Sequence, residues 1–288
     1  MRKWIGAALA AVMGAGLACS SGTTSPAGKS NAADASVGMG GDDSGSPSIG
    51  GWSWDAGNGM VWIEAGTLGG DPPVDASKPT DDSGGYPLCD GGVMPAELFI
   101  TQVVSFEAGA CAGFGQAEMP AIVEGPPVGG GAAQGSTDVL SLGTGGSIVV
   151  AFTPNAIVDG PGVDFIVFEN PFDVAGNPDN LYAEPGEVSV SNDGVTWTAF
   201  PCTATTFPYG ECAGWHPVLS NPSNCVSPLD PSVAGGDPFD LHDIGVTSAK
   251  YVRIVDKANE SCSSDPTQDL TTNGFDLDAI AIVNGQLP

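Results

Sequence analysis

From about residue 86 onward, Gly and Pro cut this chain into short apolar runs, and that punctuation limits what it can fold into. The runs at 147–152 (Ser-Ile-Val-Val-Ala-Phe) and 164–169 (Asp-Phe-Ile-Val-Phe-Glu) have the length of buried strands and are too short for helices. Segments 97–106, 187–191, 196–200, 249–256 and 275–283 read the same way. Between 187–191 and 196–200 lies Asn192-Asp193-Gly194, a hairpin signal because Asp-Gly tolerates left-handed backbone. With 43 Gly, 24 Pro and 14% charged residues, turns and strands are favoured over long helices. The sequence therefore predicts an all-β domain over residues 86–288, a β-sandwich of the jelly-roll kind.

The N-terminal part reads differently. Residues 1–18 combine a basic start (Arg2, Lys3) with an apolar run ending in small residues, the pattern of a signal peptide and too short to span a membrane comfortably. Gly16-Leu17-Ala18-Cys19 resembles the bacterial lipobox, which implies lipidation of Cys19 and, with Ser20 following, an outer-membrane or cell-surface anchor. Residues 19–85 are rich in Ser, Gly, Asp, Pro, Ala and Thr and cannot bury enough surface to order themselves, so a disordered tether is predicted. Trp52, Trp54 and Trp62 interrupt it, as a patch that docks on the domain or as a short strand pair.

Six cysteines remain beyond Cys19: Cys89, Cys111, Cys202, Cys212, Cys225 and Cys262. An even number in an exported domain implies disulfides. Nearness in sequence favours Cys202–Cys212 and Cys89–Cys111, which leaves Cys225 with Cys262. Zinc is disfavoured, because no Cys-x-x-Cys is present and the two histidines are His216 and His242.

A net charge of −27 excludes nucleic acid as a partner and suits an exported protein that meets divalent cations. On a continuous strand, Asp276 and Asp278 would stand side by side on one face, with Phe275, Leu277 and Ala279 on the other. Asp is disfavoured inside strands, so a shared cation is expected there. Glu169, Asp173, Asp237 and Asp240 lie in acidic turns that could supply further oxygen ligands, and calcium in a structural role is the expected cofactor. Trp215, Tyr209 and Phe172 lie in Pro/Gly/Asn-rich loops and are the candidate ligand-binding residues, since aromatic faces beside amides and carboxylates grip sugar rings. For catalysis, neither histidine has a nucleophile motif around it and no Gly-x-Ser-x-Gly occurs. No catalytic residue is assigned, and a secreted hydrolase using paired carboxylates is the alternative reading.

Two phrases, Val188-Ser-Val-Ser-Asn-Asp-Gly-Val-Thr-Trp197 and Ala249-Lys-Tyr-Val-Arg-Ile-Val255, resemble discoidin-like and carbohydrate-binding-module jelly rolls. The stretches 142–152, 159–172 and 274–280 resemble a family of bacterial cell-surface proteins and lipoproteins, and the likeness runs from about Glu97 to Gly285. The resemblance implies a surface sandwich with bound calcium and no assigned catalysis. The expected function is recognition of a glycan, matrix component or surface protein, with the membrane reached through the lipid anchor only.

Overall fold

Two antiparallel sheets carry the fold, and each is built from the short apolar runs. The computed structural model describes residues 51–55, 59–63, 84–89, 91–258 and 273–286, all within the unit Ser48–Pro288. The leader 1–18, Cys19, most of the 19–85 tether and Cys262 lie outside the described residues.

The larger sheet has six strands. Its order is Thr198–Ala199, Gly186–Ser191, Tyr251–Asp256, Ser147–Ala151 and Gln102–Glu107, with Cys212–Ala213 also pairing to Gly186–Ser191. The smaller sheet runs Asp237–Phe239, Phe165–Phe168, Ala279–Ile282. Ile148, Val150, Val188, Val190, Val252 and Ile254 of the larger sheet share one core with Phe165, Val167, Phe239, Ile280 and Ile282 of the smaller. The alternate residues of the smaller sheet, Ile166, Phe168, Ala279 and Ala281, pack against Tyr86, Met94, Phe99, Val218 and Ala234. Both faces of that sheet are covered, which is why 165–168 and 279–282 read as unbroken apolar runs. Among the described residues the helical segments are 3-10 turns of three or four residues. The chain is all-β, as its punctuation predicts.

Three expectations need correction. The 97–106 run is two pieces: Phe99 bridges to Ala281 of the smaller sheet, whereas Gln102–Glu107 pairs with the larger. The segment crosses between sheets, so one continuous strand is impossible. Likewise 275–283 is broken at Asp278, because Asp276–Leu277 pairs with Leu140–Ser141 and Ala279–Ile282 pairs with Phe165–Phe168. The core-facing phase shifts there from Phe275 and Leu277 to Ile280 and Ile282. Asp276 and Asp278 therefore do not share a strand face.

The third correction concerns the disulfides. Cys202–Cys212 forms as expected, but Cys89 joins Cys225 and not Cys111. The segments carrying Cys89 and Cys225 flank the same outer face of the smaller sheet, where Tyr86, Met94 and Val218 meet, so sequence distance misleads. This rules out Cys225–Cys262 as well. Cys111 is also disulfide-bonded. Upstream, Gly51–Asp55 and Gly59–Ile63 form an antiparallel pair with Trp52 opposite Trp62, the strand-pair reading of the tryptophans.

Candidate metal centre and aromatic loop

Three carboxylates converge where the strand ends meet. Glu169 follows Phe165–Phe168, Glu184 precedes Gly186–Ser191, and Asp276 lies on the short strand beside Leu140–Ser141. One oxygen from each lies within 4.8 Å of the others. Relative exposures of 1%, 2% and 5% take all three out of solvent. The Asp276 N–H donates to Glu169 Oε1 at 3.0 Å, and Glu169 Oε2 has no hydrogen-bond partner among the described residues. Burial, reinforced by Glu184 and Asp276, holds the Glu169 carboxyl well above the usual carboxylate range. Such a group is neutralised by a proton or by a cation, and these buried acids could hold a metal ion.

The other predicted ligands lie elsewhere. Asp278 is fully buried, and both its oxygens accept from the Val128 N–H, at 3.1 and 2.9 Å. Asp240 stands with Asp159 and Asp164 in a second acidic group. There the Asp164 oxygens are already taken: Gly160 N–H and Asn284 Nδ2 donate to Oδ1, and Leu241 N–H donates to Oδ2. Asp240 itself accepts from His242 N–H and starts the 3-10 turn Leu241–Ile244. Asp173, half-buried, belongs to the small hairpin Phe172–Asp173/Leu181–Tyr182 and to neither group. Sequence reasoning found Glu169 and Asp276 but missed Glu184. The available signal was an acid in Ala183-Glu184-Pro185, wedged between apolar residues at a strand entrance.

Asp237 has a different role from the one expected. Its buried carboxylate accepts from Gly214 N–H at 2.7 Å and Trp215 N–H at 3.3 Å, and His216 Nδ1 lies 2.6 Å from Oδ1. Burial pushes this carboxyl up, against the hydrogen bonds from His216, Gly214 and Trp215. These donors occupy the oxygens that a metal would need. The bonds fix the loop after Cys212–Ala213. Gly214 has φ +90°, and a Cβ there would strike the Glu184 carbonyl oxygen, so only glycine lets the loop pass this close to the acidic trio. His242 is exposed, and its Nδ1 lies 3.9 Å from Asp159 Oδ2.

The predicted aromatic site separates into two. Trp215 and Tyr209 form a cluster with Phe207, while Phe172 stacks on Tyr182 at 5.3 Å in its own hairpin. Trp215 Nε1–H donates to Cys212 O at 2.9 Å, and the Cys202–Cys212 disulfide closes the loop bearing Phe207 and Tyr209, with Trp215 just beyond it. A separate cavity of about 300 Å³ lies beside Cys89–Cys225, lined by Tyr86, Leu88, Met94, Pro126, Pro222 and Pro228. No protein-family model matches this chain, and neither does any curated protein.

Proposed function

We propose that this is a lipid-anchored bacterial surface protein whose calcium-stabilised β-sandwich recognises a glycan, a matrix component or another surface protein. The observation that carries the reading is the buried trio Glu169, Glu184 and Asp276, with Glu169 Oε2 lacking a hydrogen-bond partner among the described residues. An all-oxygen, anionic donor set suits a hard cation, and calcium accepts the remaining ligands from carbonyls or water in irregular geometry. The same burial argues against these acids cleaving a glycoside, since a substrate cannot reach them. Recognition would fall to Trp215 and Tyr209, with Phe172 on a second face. The Gly16–Cys19 lipobox resemblance supports the anchor and an outer-membrane or cell-surface location.

Calorimetric titration of the full chain with calcium tests the site. Glu169→Gln and Asp276→Asn are expected to weaken binding more than tenfold, and Asp240→Asn to leave it unchanged. Loss of binding that follows Asp240 and spares Glu169 would move the ion to the wrong cluster and overturn the assignment.

A further inference from the structure

We propose that Phe207, Tyr209 and Trp215 form a cage for a quaternary ammonium group, which names the ligand chemistry of the recognition loop and rests on the recognition reading above. The three rings are mutually near perpendicular, with interplanar angles of 88°, 86° and 80°. Their centroids lie 5.9, 5.6 and 6.3 Å apart. At that spacing a point exists about 4 Å from all three centroids, inside the roughly 6 Å reach of a cation–π contact. A quaternary ammonium spreads its charge over its methyl groups, which can touch several ring faces at once. It also has no N–H that would demand hydrogen bonds.

The surroundings favour a cation and hold the walls. Phe207 is 66% exposed, an unusual position for a phenylalanine with only its own fold to serve. His216 lies 3.8 Å from Trp215, ring centre to ring centre, and backs one face of the indole. Asp237 clamps both residues through their backbone and side-chain donors. Glu211, between Tyr209 and Cys212, has one oxygen shielded from solvent without a hydrogen-bond partner among the described residues. The net charge of −27 attracts cations and repels anions over the whole surface. Sugar stacking needs a flat platform flanked by hydrogen-bonding groups, whereas here three rings stand at right angles.

The test titrates the full chain with tetramethylammonium and choline. The Trp215 indole N–H resonance provides the readout, and 3,3-dimethylbutan-1-ol serves as the neutral isostere of choline. Saturable binding of both cations, at least about tenfold tighter than the alcohol, is expected. Phe207→Leu keeps the apolar bulk at an exposed position and removes the π face, so it should lose about fivefold or more of the cation affinity. Trp215→Ala, which lacks the reporting indole and is followed by calorimetric titration, should abolish binding, with its melting curve reporting whether the fold survives. Phosphatidylcholine vesicles compared with free choline separate a lipid headgroup from a soluble source, and binding of either supports the class. Equal binding of the alcohol, an unchanged Phe207→Leu variant, or binding of a neutral sugar in place of the cations would overturn the cage. Repeating the titration in EDTA separates the two proposals. Cation binding without any calcium-dependent melting defeats the metal reading alone, and calcium-dependent melting without cation binding defeats the cage alone.

Discussion

Asp193 is fully exposed, yet three groups converge on its carboxylate: Val195 N–H at 2.8 Å, Thr196 N–H at 2.7 Å and Ser191 Oγ at 3.0 Å. Those bonds favour the ionised form and lower its pKa from 3.8 to about 2. A folded-state pKa below the unfolded value gives stability that is present above about pH 4 and lost as pH falls towards 2. Asp193→Ala should therefore lower the urea midpoint at pH 7 and flatten the acid limb between pH 4 and 2, with wild type and variant converging near pH 2. The hairpin itself was legible from Asn-Asp-Gly. Which backbone groups the acid would bind was not, because the Thr196 and Val195 N–H groups reach it only once the turn has closed. Glu184 fails to stand out for a related reason. It gains its role through Glu169 and Asp276, brought to it by two different segments.

At the scale of the element, apolar runs and turn residues carried most of the information. Strands 147–151, 165–168, 186–191 and 251–256 emerge almost as read, since their burial follows from their own residues. What local pattern could not supply was sheet membership. The breaks at Phe99–Gln102 and at Asp278 arise where a segment changes partner sheet, and the partner is fixed by distant residues such as Ala281 and Leu140. The core layer between the sheets makes its own prediction. Phe165 stacks on Phe239 at 5.1 Å and meets Phe200 edge-on at 5.9 Å, with no exposure. Phe165→Ala should cost about 3–5 kcal/mol in denaturant unfolding, the range for emptying a buried aromatic site. Gly214→Ala acts through the backbone. It forces a left-handed residue against the Glu184 carbonyl, and a loss of about 2 kcal/mol or more is expected, with weakened calcium binding measured alongside.

For the whole molecule, charge and address belong together. A chain at −27 that places three of its carboxylates out of water has a standing electrostatic penalty, which one divalent ion at Glu169, Glu184 and Asp276 would relieve. The proposed surface location would expose it to such ions at concentrations that the cytoplasm does not offer. On the proposed lipid anchoring, Cys19→Ser should shift the protein from the membrane fraction to the soluble fraction, and an unchanged distribution would contradict it. The most direct test of the central claim is thermal unfolding of the full chain in calcium and in EDTA, for wild type and for Glu169→Gln/Glu184→Gln/Asp276→Asn. At calcium about 100-fold above its Kd, wild type should melt roughly 5–10 °C higher than in EDTA. The triple variant should show the same melting temperature in both. A wild type indifferent to chelation, or a triple variant that keeps the calcium shift, would contradict a metal at this site.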